Sequence, residues 1–343
     1  MPIIRSYANG FEVADYTQEL QVIPNSWTLL SDSGLFVDEF LSTRTVTFEQ
    51  TDVTLGLIAD QYWGAKPQAN KDDTRKIHAW AIPHFPYVDA LVPSDIQGVR
   101  AYGKQDVALT KAEALGRKLE RIRKNYAITK EVAAFKTLTT GAVYAPNGTV
   151  VTNFFTDMGV TQTSVDFVLG TGTTDVIGKV EAVISAMQDN ALTGDVITGV
   201  IGYCSSEFFA KLIAHAKVQA AYQYYSATAQ QSILRNRAGG MESGLYRQFE
   251  YGGIRFIEVR TVLAGQRLIP AQEAVFVPVG TSDSFVRYHA PANKFDFVNT
   301  VAESEYVFVT DDMKGERTDI DAESNFFTAL RRPALVIKGT TSN

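Results

Sequence analysis

The stretch from Thr110 to Phe135, TKAEALGRKLERIRKNYAITKEVAAF, constrains the fold more than any other part of the chain. Val107, Ala108, Ala112, Leu115, Leu119, Ile122, Tyr126, Val132 and Ala133 recur at steps of mostly three and four, which draws a narrow apolar stripe along one face of a helix. Lys111, Arg117, Lys118, Arg121, Arg123 and Lys124 crowd the remaining faces, offset by Glu113, Glu120 and Glu131. Gly116 costs about 1 kcal/mol relative to Ala, too little to break so long a pattern. The spacing predicts one helix from Asp106 to Thr139, a rod of roughly 45 Å at the standard rise per residue. A rod of that length has to cross a whole domain.

Around it the pattern is mostly β. STRTVTFEQTDVTLGLI alternates and is rich in β-branched residues, so it reads as a strand. DQYWGAKPQANKDDTRKIHAWAIPHFPYV completes a hairpin, with a polar tip over Lys66–Arg75 and a return strand over Lys76–Ile82. Two strands projecting a charged tip do not bury themselves alone. Asn147-Gly148 marks a second hairpin. TDVIGKVEAVISAMQDNAL predicts an amphipathic helix with Val176, Val180, Val183, Ile184 and Met187 on one side. DVITGVIGYC predicts a strand, and SSEFFAKLIAHAKVQAAYQYY one helix capped by Ser205 or Ser206. YSATAQQSILRNRAGGMESG reads as a mobile loop. FEYGGIRFIEVR, EAVFVPVG, SEYVFVTDD and RPALVIKG read as strands. The first forty residues look irregular, more an arm than a domain. With 343 residues the chain can build one large or two ordinary cores, and the order of elements is α+β.

Chemistry is hard to find. The net charge of −6 argues against a tight, sequence-independent nucleic-acid binder. His78, His84, His215 and His289 form no zinc motif. GTGTTD, from Gly170 to Asp175, lacks the Lys-Ser/Thr pair of a phosphate loop and reads as a turn before a helix. Cys204 is the single cysteine, so no intrachain disulfide forms and a reducing compartment is the simplest reading. It is expected to be a small buried residue at a strand end rather than a nucleophile. No leader pattern and no bilayer-spanning stretch is present, so a soluble product is expected. No catalytic, metal-binding or cofactor-binding residues are assigned. The best carboxylate cluster is TDIDAES: on a strand, Asp319, Asp321 and Glu323 share one face. That face is either a cation site or, on the stronger reading, solvated or met by basic side chains of a neighbouring subunit.

Taken in order, these elements resemble the major capsid protein E family of lambda-like tailed bacteriophages, which has the Hong Kong 97 phage capsid fold. The resemblance rests on the long helix, on VVTNFFTDMG with Asp157-Met158-Gly159, on GYCSSEFFAKLIAHAKVQAAY, on the Gly-Ile-x-Phe core of FEYGGIRFIEVR, on LIPAQEAVFVPVG and on ALRRPALVIKG with its Arg-Pro-Ala pattern. It covers most of the chain from about Gly98 onward. It implies an N-terminal arm (1–46), an E-loop hairpin with its flanks (47–98), a peripheral domain with a long spine helix (99–160), an axial domain (161–290) and return strands of the peripheral domain (291–343). It also implies a structural protein that is no enzyme and forms hexamers and pentamers of an icosahedral head around double-stranded DNA. The head would be assembled in the bacterial cytoplasm without a membrane. No helical scaffolding segment fits before the E-loop, so a separate scaffolding protein is expected, with a portal and a decoration protein as further partners. No crosslinking residues are carried over. Candidate interface residues are Lys66, Lys71, Arg75 and Lys76 near the loop tip, Arg117 and Arg121 on the helix, and Asp319, Asp321 and Glu323. The alternatives are an encapsulin-type compartment shell and a metal-dependent α+β enzyme using the Asp319 cluster.

Overall fold

The computed structural model describes residues 3–6, 12–15, 28–52, 74–97, 110–145, 147–191, 196–223, 247–259, 262–263, 265–281 and 283–342. The expected loop at 225–244 and the hairpin tip, with Lys66 and Lys71, lie outside them. Along the chain run β1 (Ile3–Ser6), β2 (Glu12–Asp15), α1 (Leu29–Ser33), β3 (Val37–Phe40), β4 (Thr45–Asp52), β5 (Thr74–Ala81), β6 (His84–Leu91) and the long helix α2 (Lys111–Thr140). Then come β7 (Ala142–Tyr144), β8 (Val150–Asn153), α3 (Phe154–Asp157), β9 (Ser164–Asp166), α4 (Val176–Asn190), β10 (Gly199–Ser205), α5 (Ser206–Ala214) and α6 (Ala216–Gln223). The chain finishes with β11 (Gln248–Tyr251), β12 (Ile254–Val259), β13 (Val262–Leu263), β14 (Gln266–Arg267), β15 (Glu273–Val279), β16 (Phe285–His289), β17 (Tyr306–Asp311), β18 (Thr318–Leu330) and β19 (Ile337–Thr340).

Helix α2 starts where its sequence supplies a capping box. Thr110 Oγ1 accepts from the Glu113 amide at 3.2 Å, and the Glu113 carboxylate accepts from the Thr110 amide at 3.3 Å. It ends at Gly141, in the left-handed region at φ 68, where a Cβ would stand 2.2 Å from the Phe155 ring. Residues 106–109 of the expected helix lie outside the described set. Leu115, Leu119, Ile122 and Tyr126 pack on Val307, Val309, Ile320 and Ala322, so the helix lies across a sheet of its own chain. Two expectations about its faces fail. Ala112, placed on the stripe, is exposed, and Glu131, placed among the outer charges, is fully buried.

That sheet has seven strands in the order β1-β2-β17-β18-β16-β3, with β6 also paired to β18. β18 organises it: residues 318–323 pair with β17, residues 318–325 with β6 and residues 326–330 with β16, all antiparallel. The first residues are not wholly irregular, because β2 pairs with β17 through Val13, Ala14 and Asp15. A second sheet of six strands, β11-β12-β10-β15-β19-β9, carries α4 and α5 over a core that includes Val180, Val183, Phe208, Leu212, Phe256 and Phe276. Two long-range pairings depart from the expected boundaries. β16 belongs to the seven-stranded sheet. The closing strand β19 does not return there but inserts between β15 and β9. The helix expected over Ser205–Tyr225 is two helices: Ser205 caps the first, and His215, at ψ 130, breaks the run before α6.

Candidate assembly surfaces

The β4–β5 hairpin is paired from Thr45↔Ala81 to Asp52↔Thr74. Alternation sorts its side chains into two faces. Val46, Phe48 and Trp80 make the inner face, and Trp80 anchors it. Its ring lies 5.2 Å from Phe154 and 5.8 Å from Phe327, and its Nε1–H donates to Asp157 Oδ2 at 3.1 Å. Trp80, and Pro83 just beyond the hairpin, are therefore buried in their own chain. The outer face is different. Thr45, Thr47, Glu49, Thr51, Arg75, Ile77, Ala79 and Ala81 are all exposed, Ile77 to 67%. Arg75 stands 3.7 Å from Glu49 across the strands, and Lys76 is exposed on the other side.

On α2, Arg117 and Arg121 are exposed. Several helix charges have partners within the chain. Lys111 bonds Asp311 at 2.7 Å, Lys118 bonds Asp89 at 2.9 Å and the Ala90 carbonyl at 2.7 Å, and Lys124 bonds Glu120 at 2.6 Å.

The three carboxylates do share one face of β18, opposite Thr310, Phe308 and Tyr306 of β17. Each is met from within the subunit. Arg317 pairs with Asp319, and Lys294 Nζ lies 3.3 Å from Asp321. Glu323, which is buried, accepts from the Asn293 amide at 3.1 and 3.0 Å. Among the described residues no group of three His, Cys, Asp or Glu side chains is placed to hold a metal. Cys204 is fully buried, and burial pushes its thiol well above its ordinary pKa. No described helix is long and apolar enough to cross a membrane.

Sequence reasoning missed a polar junction beneath α2. Glu131 accepts from the Leu30 amide at 2.7 Å and the Ser31 amide at 3.4 Å, closing the start of α1. Lys130, also buried, donates to Ser304 Oγ at 2.7 Å and Glu305 at 2.8 Å. Nearby Asp38 of β3 meets His289 Nε2 at 3.0 Å and Arg287 at 3.5 Å. Burial works to raise the Asp38 pKa, but the His289 hydrogen bond and the Arg287 charge hold it below its ordinary value. This junction fastens the chain's early segment to both the helix and the sheet.

A sheet crossed by a capped helix, a second compact sheet and a hairpin with one uncovered face together suit a subunit finished by its neighbours. The sequence profile of the family described as phage major capsid protein E matches residues 12–341. The chain belongs to that family. A relative named major capsid protein, from Pseudomonas phage KPP10, is 42% identical over 347 residues and covers 98% of each chain. Another of that name, from Salmonella phage Felix O1, is 26% identical and covers 98% of this chain and 97% of its own. The fold is that of phage capsid proteins. The capsid of Myoviridae phage XM1 aligns with TM-score 0.55 at 8% identity over 94% of this chain and 95% of the other. A prophage capsid protein of E. coli CFT073 aligns with TM-score 0.54 at 10% identity over 78% and 80%. The family's role is structural, that of the subunit of a phage head, and the phage relatives favour this over a compartment shell.

Proposed function

We propose that copies of this chain close an icosahedral head as hexamers and pentamers around double-stranded DNA. In this reading the seven-stranded sheet with α2 is the peripheral part, the six-stranded sheet is the axial part, and β4–β5 is the E-loop, whose outer face lies on an adjacent subunit. The observation that carries it is the uncovered hairpin face in a chain of capsid lineage. A two-stranded ribbon is marginal unless a further layer covers it, and here the described residues of the outer face are exposed. A shell of copies supplies the missing layer. A scaffolding protein, a portal and a decoration protein would complete the particle, DNA would be touched loosely, and assembly would take place in the host cytoplasm. A helix that braces the sheet explains the long amphipathic run, and no catalytic site is assigned.

Electron microscopy of the expressed chain, with and without a scaffolding protein, tests the reading. Closed particles are expected from the parent chain, and deletion of residues 65–73 should give folded subunits that form none. Normal particles from the deletion would defeat the E-loop assignment, and a parent that stays monomeric with and without scaffold would defeat the whole reading.

A further inference from the structure

The segment between β16 and β17 holds apolar side chains out into water. Phe295 is 98% exposed, Val301 69% and Val298 60%. The segment itself is fastened down. Phe297 packs 5.1 Å from Tyr306 and 5.5 Å from Phe308, and Lys294 Nζ sits 4.3 Å above the Phe308 ring. Asn293 is tied to Glu323, and the Ala302 amide donates to the Leu41 carbonyl at 2.9 Å. That bond joins the strip to β3, the edge strand of its sheet, where Val37 and Phe40 are half exposed. Fully burying a Val or Phe side chain is favourable by about 1.5–3 kcal/mol. Apolar rows held rigidly in water mark contact surfaces.

We propose that the Phe295–Val298–Val301 strip of one copy receives the outer face of the β4–β5 hairpin of a second copy. The inference rests on the capsid reading above and names its receiving surface. The two faces match in chemistry. The hairpin offers Ile77 and Ala79 beside Arg75, which stands 3.7 Å from Glu49 on the same face, and the strip offers three apolar side chains beside Asp296 and Glu303. Both faces are uncovered in the subunit, and they lie at different places on the same chain. In the proposed shell this contact is heterologous, passing from copy to copy around each ring.

Val298→Cys supplies a readily reached thiol, because Cys204 is buried. Maleimide labelling of that thiol is expected to slow by about tenfold or more in closed particles relative to free subunits, as for any site covered on assembly. The pair Ile77→Cys with Val298→Cys, oxidised in particles, should give a ladder of linked chains on a non-reducing gel that neither single variant gives. Phe295→Asp with Val298→Asp should unfold at the parent's temperature yet form no particles, while Phe295→Leu should form them. Equal labelling in particles and free subunits overturns the proposal, since the strip then faces solvent or another kind of partner. Protection without a ladder, or a crosslink confined to single chains, removes the neighbour's hairpin as the occupant. Normal particles from the double Asp variant also overturn it. Those results leave the capsid reading standing, whereas a parent chain that closes no particles sinks both.

Discussion

Helix α2 and the β4–β5 hairpin are both rich in polar residues, yet the chain finishes one and leaves the other open. A helix closes its own backbone hydrogen bonds and needs only one apolar seam, which Leu115, Leu119, Ile122 and Tyr126 provide. A two-stranded ribbon closes only its inner edges, and its outer face from Thr45 to Thr51 and Arg75 to Ala81 is exposed. The difference separates what a subunit needs in order to fold from what it keeps for its neighbours. Substitutions under the helix should therefore act on subunit stability, and substitutions on the outer hairpin face on assembly alone.

The largest effect is expected at Lys130. Its ammonium is buried and bonded to Ser304 and Glu305, so Lys130→Ala leaves a largely buried carboxylate unpaired. Breaking such a pair costs about 3–5 kcal/mol. Urea unfolding of the subunit measures it, and adding Glu305→Gln should recover part of the loss. A cost below about 1 kcal/mol would reduce Lys130 to an ordinary surface charge. Leu119→Ala comes next, with an expected cost of about 2–5 kcal/mol for truncating a buried side chain. Its neighbour Arg121→Ala, on the exposed side of the same turn, should stay within about 0.5 kcal/mol of the parent. Equal effects at the two positions would mean that the helix does not lie on this sheet.

The two halves of α2 show how far the sequence could be read. Its first half was legible because an amphipathic helix repeats its burial at fixed steps, and Leu115, Leu119 and Ile122 obey the repeat. Its second half was not. Lys130 and Glu131 look like outer charges, since charge is normally solvated, and only partners far along the chain, Ser304, Glu305 and the start of α1, make their burial tolerable. The carboxylates behave the same way: alternation placed Asp319, Asp321 and Glu323 on one face, but the loop residues that answer them carry no periodic signal. His215 broke a helix in which the apolar pattern runs on, and β19 chose its sheet through pairing with β9 and β15. Both were decided by tertiary contacts. The hairpin was visible in its β-branched alternation, whereas the strip at Phe295–Val301 sits in an irregular segment and could be found only from exposure.

A third test concerns the junction that ties β3 to the sheet near the end of α2. Burial is the main cause that lowers the His289 pKa below 6.5, against the Asp38 hydrogen bond, which works to raise it. The unfolded chain then takes up this proton first as pH falls. The stabilising contribution is whole above pH 6.5 and is lost as pH drops towards the folded value, with a slope of at most about 1.4 kcal/mol per pH unit. The facing groups do not mimic it. Asp38 has a lowered pKa, so its own contribution is lost only below 3.8. Burial lowers the Lys130 pKa from its ordinary 10.5, against the Glu305 carboxylate, which works to raise it. Glu131, raised mainly by burial, has the opposite sign: its contribution is present below 4.5 and is lost as pH rises through its folded value. Subtracting the His289→Gln stability curve from the parent's isolates the histidine, and the difference should grow as pH rises towards 6.5. A flat difference would place His289 in a solvated setting and loosen the junction.

The smallest effect is expected at Asp321, which lies on the sheet face away from the helix. Its carboxylate is 46% exposed and meets Lys294 at 3.3 Å, so the repulsion among the three acids is already relieved inside the subunit. An exposed pair of this kind contributes about 0–1 kcal/mol. Asp321→Asn, which keeps the shape, should therefore change subunit unfolding by no more than that. Assembly is the sharper readout, because Lys294 directly precedes Phe295, and every copy in a shell repeats the contact. Asp321→Lys sets two cations against each other and should push the strip away from the sheet, so particle yield should fall while the unfolding midpoint stays nearly fixed. Salt screens the native pair, so the yield gap between Asp321→Asn and the parent should narrow along a salt series. If Asp321→Lys assembles like the parent at every salt concentration, the face is merely solvated, and the strip is held by Phe297 and Glu323 alone.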